Sequence, residues 1–195
     1  RAAGDNADAD LATLARPGST DVIGSADLVV AVGTRLSEVD LWREELGHKA
    51  PLIRIDLDPE CLTDNHRAQT RIRADASAHL AESLQQMEEV KQTTWAAQDI
   101  ATQRARWRAE LDAERPGVLP VVDALKAAVP PQTMFFSDMT QFAYAAKEVY
   151  PMDRPRHWHH PYGFGTLGYA LPAAIGGKVG VGDQPVVAIL GDYGF

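Results

Sequence analysis

Residues 186–195, VVAILGDYGF, join an unbroken apolar run to a Gly-Asp pair. A short, wholly apolar run is typical of a strand that is buried on both faces in a parallel sheet. Open α/β folds bind ligands at the carboxyl ends of such strands, where Asp192 would lie. The segment therefore predicts an α/β fold with a binding edge at residues 191–194, although Asp192 could also be an ordinary turn or N-cap aspartate.

A glycine-rich turn precedes that strand at residues 163–168, GFGTLG, and runs into the apolar segment YALPAAIG. Glycines at 163, 165 and 168 permit positive φ and close approach of a ligand. The helix that follows is expected to offer free N–H groups and a positive dipole end to a phosphate. Such spacing also occurs in plain tight turns, and the dinucleotide fingerprint needs a strand directly before it. Residues 158–162, WHHPY, make a poor strand, so a diphosphate with its cation is the better prediction.

The composition is that of a globular protein, with 195 residues, 45% of them hydrophobic and 24% charged. A net charge of −8 argues against a nucleic-acid surface. The single cysteine, Cys61, excludes an internal disulfide and fits a reducing cytoplasm. No apolar run approaches the length of a membrane helix. We expect a soluble, cytoplasmic protein that binds neither nucleic acid nor membrane.

Apolar runs divide the chain into domains at 1–90 and 119–195, with a polar linker helix at 91–118. The first domain is predicted to contain strands at 26–32, 52–58 and 71–74. In the second strand, odd positions from 53 to 57 are apolar and even positions from 54 to 58 are polar, which predicts two distinct faces. A helix at 77–89 follows, in which apolar residues recur at helical spacing at positions 80, 84 and 87.

The second domain is predicted to open with Pro120 at a first helical position. Positions 121, 125 and 129 would form the buried stripe of that helix. A strand at 133–137, a helix at 141–149, the glycine turn, a helix at 171–179 and the strand at 186–190 complete the domain. The helix at 141–149 is predicted to turn Phe142, Ala145, Ala146 and Val149 inward. The alternation of strands and helices predicts two parallel sheets.

Two parts of the chain resemble the thiamine-diphosphate-dependent enzymes of the acetolactate synthase and 2-oxoacid decarboxylase family. Residues 165–176 and 191–192 resemble the cofactor domain of that family, and residues 26–36 and 53–59 its central domain. The resemblance implies an α/β protein of two Rossmann-like domains, the second a truncated thiamine-diphosphate-binding domain. It also implies an inactive part of a longer enzyme. The activating glutamate of a neighbouring subunit and the downstream asparagine metal ligands would lie outside these residues.

By position, the resemblance assigns Asp192 as a Mg²⁺ ligand and Leu167 as the apolar prop that bends the cofactor. Thr140 and Gln141 match a turn that touches the diphosphate, and Gly165 and Thr166 would contact the aminopyrimidine. The full expected set of cofactor-binding residues is Thr140, Gln141, Gly165, Thr166, Leu167, Gly191, Asp192, Tyr193 and Gly194.

Two residues depart from the family pattern. Tyr193 occupies the place of the motif's usual second glycine, which puts the backbone contact there in doubt. Phe142 stands where acetolactate synthases tend to have histidine, which weakens that particular assignment.

Three histidines, at 157, 159 and 160, lie too close together for an easy tetrahedral metal site. His159 or His160 could face a substrate and act as a proton relay, with packing as the alternative for each. Cys61 is expected to be buried and not nucleophilic.

The resemblance implies that a 2-oxo acid loses carbon dioxide with the help of thiamine diphosphate and Mg²⁺. The resulting enamine would be protonated or ligated to a second carbonyl. A homodimer or homotetramer is expected, and FAD in the first domain is a further option. The alternative is a non-catalytic nucleotide- or diphosphate-binding module. The sequence leaves open which 2-oxo acid is used, and whether the outcome is decarboxylation or carboligation.

Overall fold

The computed structural model describes residues 16–87, 96–152 and 154–195. They fall into two compact units, the first formed by residues 16–87 and the second by residues 96–152 and 154–195. Each unit contains a three-stranded parallel sheet. The predicted α/β class with two parallel sheets is therefore confirmed. None of the helices in these residues is long and apolar enough to cross a membrane.

The first unit alternates helices with short strands. Its elements are α1 (Ser19–Ser25), β1 (Val29–Val32), α2 (Glu38–Leu41), β2 (Leu52–Asp56), α3 (Pro59–Thr63), β3 (Thr70–Arg73) and α4 (Ala76–Gln86). The strand order is β1-β2-β3, so β2 is central. Leu52 is fully buried there and packs with Leu36, Leu41 and Leu46.

The predicted polar face of β2 is wrong at Arg54, which is only 1% exposed. Its guanidinium donates to Asp64 Oδ1 at 2.5 Å and to the Thr34 carbonyl at 2.8 Å. These partners compensate the buried charge, so the side chain can lie inside. The strand also ends at Asp56, and Leu57, predicted on the apolar face, is 61% exposed.

The predicted helix forms as α4, but its apolar stripe is not buried. Leu80, Leu84 and Met87 are 43%, 68% and 52% exposed, and the helix has no buried residue. Within residues 16–87, no part of the unit packs over that stripe closely enough to bury it. The periodicity correctly indicates an amphipathic helix, but a sequence pattern does not supply the covering surface.

The second unit also alternates helices and parallel strands. Its elements are α5 (Ala97–Glu114), α6 (Val118–Ala128), β4 (Met134–Ser137), α7 (Gln141–Val149), β5 (Trp158–His159), α8 (Ala170–Val181) and β6 (Val186–Ile189), with a 3₁₀ turn at Asp192–Gly194. The strand order is β5-β4-β6. The segment that the sequence marked as a poor strand thus forms a short strand beside β4.

Helix α5, inside the segment predicted as a linker, packs within this unit. Its Leu111 is fully buried against Leu119 and Ala145. Helix α7 turns its small residues inward, with Ala145 and Ala146 both at 0% exposure. Phe142 and Val149 pack beside them, as the sequence predicted.

The predicted start and face of α6 need correction. The helix begins at Val118 after Gly117, whose φ is +83°, so Pro120 occupies the third helical position. Proline is tolerated there because the first four N–H groups of a helix lack intrahelical partners. Val122 is 2% exposed whereas Val121 is 55% exposed. Leu119 and Val122 are the buried residues of the helix, and Val121 lies on its outer side.

Close packing of α8 on β4 brings the helix next to the strand end where the site lies. Phe136 packs with Ala170 and Ala174, and a Cβ at Gly177 would come 2.4 Å from Phe136 Cζ. On the other side of the strand, Phe135 stacks on Trp158 with ring centroids 5.0 Å apart.

Candidate functional site

The loops predicted to form the site converge on Asp138, the residue that follows β4. Asp138 is fully buried. Its Oδ2 accepts a hydrogen bond from the Gly168 N–H at 2.9 Å, and its Oδ1 accepts one from the Ala170 N–H at 2.7 Å. The glycine turn and the first residue of α8 are therefore held at the carboxyl end of β4.

This carboxylate overturns the expectation that α8 offers free N–H groups to a phosphate. The Ala170 N–H is bound to Asp138, Pro172 has no N–H, and the Ala173 N–H donates to the Tyr169 carbonyl at 3.1 Å. An anion of the protein already lies at the positive end of the helix dipole. A phosphate brought to the same end would meet negative charge and few donors.

Helix α7 presents the open amino end instead. Its N-cap Thr140 accepts the Ala143 N–H through Oγ1 at 3.0 Å. The N–H groups of Gln141 and Phe142 belong to the first turn, where no intrahelical acceptor exists. A Cβ at Gly191 would lie 3.6 Å from Thr140 Cγ2, so the loop after β6 runs beside this helix end.

The loop after β6 carries Asp192 and Tyr193 on its outside and Gly194 on its inside. Asp192 is exposed and Tyr193 is 85% exposed, while Gly194 is buried. Across the described ranges, no group of three or more His, Cys, Asp or Glu side chains could hold a metal ion. One available carboxylate suits Mg²⁺ that takes its other ligands from phosphate oxygens and water.

The glycine turn uses left-handed backbone at two of its predicted positions. Gly165 has φ +60° and Gly168 has φ +78°, values that residues with a Cβ rarely adopt. A Cβ at Gly165 would come 3.4 Å from Met139 Cε, so the turn lies over the residue after Asp138. Thr166 and Leu167 are exposed, Leu167 by 50%.

The structure thus gathers part of the predicted set around one strand end. Gly165 approaches Met139, Gly191 approaches Thr140, and Gly194 approaches Asp138. Gln141, Thr166, Leu167, Asp192 and Tyr193 lie exposed on the elements that these contacts bring together. A cradle lined by glycine, an open helix end and a free carboxylate fit a diphosphate-bearing cofactor with its cation.

Both candidate histidines occupy packed positions. The ring of His159 stacks on Phe136, with centroids 4.7 Å apart and planes at 14°. His160 is 8% exposed, and its Nδ1 lies 2.8 Å from Ser137 Oγ, which accepts the Trp158 indole N–H at 2.8 Å. Since the indole only donates, the serine hydroxyl donates to Nδ1 in the arrangement that leaves fewest groups unpaired.

This arrangement puts the His160 proton on Nε2, which has no hydrogen-bond partner among the described residues. Burial, reinforced by the charge of Lys147, lowers the pKa of His160 to about 4. A ring that stays neutral at physiological pH is a poor proton relay, so this environment favours packing.

Cys61, which the sequence predicts to be buried and not nucleophilic, lies in α3, the helix that follows β2. The thiol is 6% exposed, which confirms that it is buried. Burial and the nearby charges of Asp56 and Asp58 raise its pKa, which disfavours the nucleophilic thiolate. Close by, Arg35 and Asp58 form an exposed ion pair at 3.5 Å.

Asp138 is the site residue that sequence reasoning missed. Its signal was present, because Asp138 directly follows the apolar strand at 133–137 as Asp192 follows the strand at 186–190. Applied to both strands, the rule for ligand sites at parallel strand ends would have placed two carboxylates at this edge.

The fold defines an α/β protein with two parallel sheets, and the candidate site lies at the carboxyl edge of the second sheet. The family models give the particular assignment. The central domain of thiamine pyrophosphate enzymes matches residues 7–86, and their C-terminal TPP-binding domain matches residues 138–195. The chain belongs to the thiamine pyrophosphate-dependent enzyme family, as its resemblance implied.

Curated relatives agree with this assignment. The chain is 38% identical over 176 residues to a probable 2-ketoarginine decarboxylase of Pseudomonas aeruginosa. The match covers 90% of this chain and 32% of that protein. It is 30% identical over 179 residues to the large subunit of acetolactate synthase isozyme 3 of Escherichia coli, covering 86% and 31%. It is 29% identical over 209 residues to the sulfoacetaldehyde acetyltransferase of Alcaligenes xylosoxydans xylosoxydans, covering 88% and 34%. The chain spans about a third of the length of these relatives.

Proposed function

We propose that this chain is part of an enzyme that uses thiamine diphosphate and Mg²⁺ to remove carbon dioxide from a 2-oxo acid. The observation that carries the proposal is the meeting of the open end of α7 with the Asp192 loop, beside Thr140 and Gly191, in a chain of this family. When bound, thiamine diphosphate supplies the electron sink that allows the bond between the carbonyl carbon and the carboxylate to break.

The chain's own residues would bind and orient that cofactor. The backbone N–H groups of Gln141 and Phe142 face no intrahelical acceptor and suit the diphosphate. Asp192 would hold the cation, with phosphate oxygens as its other ligands. Leu167 would support the cofactor rings from the glycine turn, and the backbone of Gly165 and Thr166 would contact the aminopyrimidine.

Two observations favour a decarboxylase over an acetolactate synthase. By the resemblance described above, Phe142 stands where acetolactate synthases tend to have histidine. The 38% identity to a probable 2-ketoarginine decarboxylase also exceeds the 30% identity to the synthase subunit. We therefore propose 2-ketoarginine as the first substrate to test and pyruvate as the comparison. An aldehyde product would indicate a lyase, and a hydroxy-ketone a carboligating transferase.

The same proposal includes a homodimer or homotetramer in the cytoplasm. Large apolar side chains are exposed at the site, with Phe164 at 96% and Tyr193 at 85%. Apolar groups gathered at a binding edge are typical of a surface that another part of an assembly covers. The net charge of −8 supports the absence of nucleic-acid binding. FAD in the first unit is tested by the visible absorbance of the purified full-length protein.

Calorimetric titration of the full-length protein with thiamine diphosphate, with and without Mg²⁺, tests the proposal. Binding should require Mg²⁺ and should be lost in Asp192→Ala. Asp183→Ala is the matched control, because Asp183 is another exposed aspartate of this unit, in the turn after α8. Failure of the full-length wild type to bind the cofactor would refute the proposed enzymatic function. The alternative of a non-catalytic nucleotide- or diphosphate-binding module would then be the better account.

A further inference from the structure

We propose that Asp138 is a positioning residue that assembles the cofactor site before the cofactor arrives. Its carboxylate holds the glycine turn in place, and the same carboxylate requires residue 194 to be glycine. The effect on cofactor affinity rests on the function proposed above. The effect on the conformation of the two loops does not.

Asp138 connects four segments of the second unit. Its backbone N–H donates to the Ile189 carbonyl of β6 at 2.9 Å, and its carbonyl accepts the Thr140 N–H at 2.9 Å. Its side chain binds the N–H groups of Gly168 and Ala170. Hydrogen bonds to a carboxylate are stronger than neutral ones, and full burial protects them from competition with water. One residue therefore fixes the turn, α8 and the cap of α7 relative to β6.

Gly194 is required for a steric reason. A Cβ at this position would lie 2.0 Å from Asp138 Oδ2 and 3.2 Å from its Cγ. Gly194 is not among the glycines with positive φ, so its backbone conformation does not demand glycine. The contact with Asp138 does, because the carboxylate cannot move without breaking its bond to the Gly168 N–H.

The chemistry of the contact requires two acceptors. Asparagine has nearly the shape of aspartate, but its NH₂ group would face either the Gly168 or the Ala170 N–H, donor against donor. Loss of a hydrogen bond to a charged group makes the ordered turn less populated, and the apparent affinity for a ligand falls with that population. We expect Asp138→Asn to weaken thiamine diphosphate binding by about 10-fold or more.

The first experiment compares amide hydrogen exchange in full-length wild type and Asp138→Asn without cofactor. Exchange in residues 163–170 should be faster in the variant, and exchange in α5 should be unchanged. Faster exchange in both segments would mean global destabilisation, and equal exchange in residues 163–170 would mean that the turn does not depend on the carboxylate. Either result overturns the proposal, and neither depends on whether the protein binds thiamine diphosphate.

The second experiment tests the coupling of Asp138 with Gly194 by calorimetric titration with thiamine diphosphate and Mg²⁺. Gly194→Ala should weaken binding strongly in the wild type and much less in Asp138→Ala, where the clashing carboxylate is gone. Gly180→Ala is the control, since a Cβ there meets nothing within 4 Å. Equal losses in the two backgrounds would refute the steric coupling. If Asp138→Ala does not fold, Asp138→Asn still tests the positioning role through exchange and affinity.

Discussion

Replacing Arg54 with leucine tests how much the buried ion pair contributes to the first unit. The substitution keeps an apolar stem inside the sheet but removes the donors to Asp64 and to the Thr34 carbonyl. Breaking a buried pair by removing one partner costs about 3–5 kcal/mol. The Asp64 side chain is 29% exposed, so water can solvate part of the remaining charge. We therefore expect Arg54→Leu to lower the free energy of unfolding of the first unit by an amount near the lower end of this range, about 3 kcal/mol.

Hydrogen exchange of the β2 amides in the full-length protein measures this loss. A change of about 3 kcal/mol corresponds to roughly 100-fold faster exchange where these amides open with the whole unit. Arg35→Leu is the matched control, because its pair with Asp58 is exposed and such pairs contribute about 0–1 kcal/mol. Exchange in Arg54→Leu within a few-fold of that in Arg35→Leu would refute the reasoning.

Three further predictions concern the second unit. Gly177→Ala should destabilise it by about 1–3 kcal/mol through overlap with Phe136, whereas Gly176→Ala, in open space on the same helix, should be neutral or stabilising by up to about 1 kcal/mol. Urea midpoints that shift equally would contradict this. His160 has a folded pKa of about 4, below its ordinary value of 6.5, so stability is complete above about pH 6.5 and falls as the pH drops toward 4. The loss is at most about 3 kcal/mol, and His160→Asn should flatten the profile; an unchanged profile would exclude this cause. Thr140→Ala should weaken α7 by about 1 kcal/mol while Thr140→Ser does not, as measured by exchange of residues 141–149.

The elements that the sequence predicted well are those whose burial is visible locally. Strands β4 and β6 lie in apolar runs, as is typical of strands in a parallel sheet. Helix α7 showed its inward residues through spacing alone. The local sequence pattern predicts an element and its buried face correctly where the buried side chains are also the apolar ones.

The corrections arise where burial depends on residues far along the chain. Arg54 lies inside because Asp64 and the Thr34 carbonyl compensate it. Val121 lies outside because Leu119 and Val122 form the face of α6 that packs into the unit. No periodicity encodes a distant hydrogen-bond partner or an exact helix start.

The candidate site divides in the same way. The glycine turn and the Asp192 loop carry local signals, so the sequence alone could indicate both as candidates. The role of Asp138 depends on backbone N–H groups 30 and 32 residues later. Backbone donors are present at every non-proline residue, so their identity carries no signal in the sequence. For this reason the sequence predicts an anion site at the amino end of α8, although the protein's own carboxylate occupies it.

The strand order β5-β4-β6 has a consequence for synthesis on the ribosome. The central strand is made first, and its pairing of Met134 with Val186 joins residues 52 positions apart. Such non-local pairing is slow, and an unpaired apolar strand is prone to aggregation while it waits. The yield of folded protein should therefore depend on how soon residues 186–189 follow β4 out of the exit tunnel, and chaperones that shield β4 in that interval should raise it.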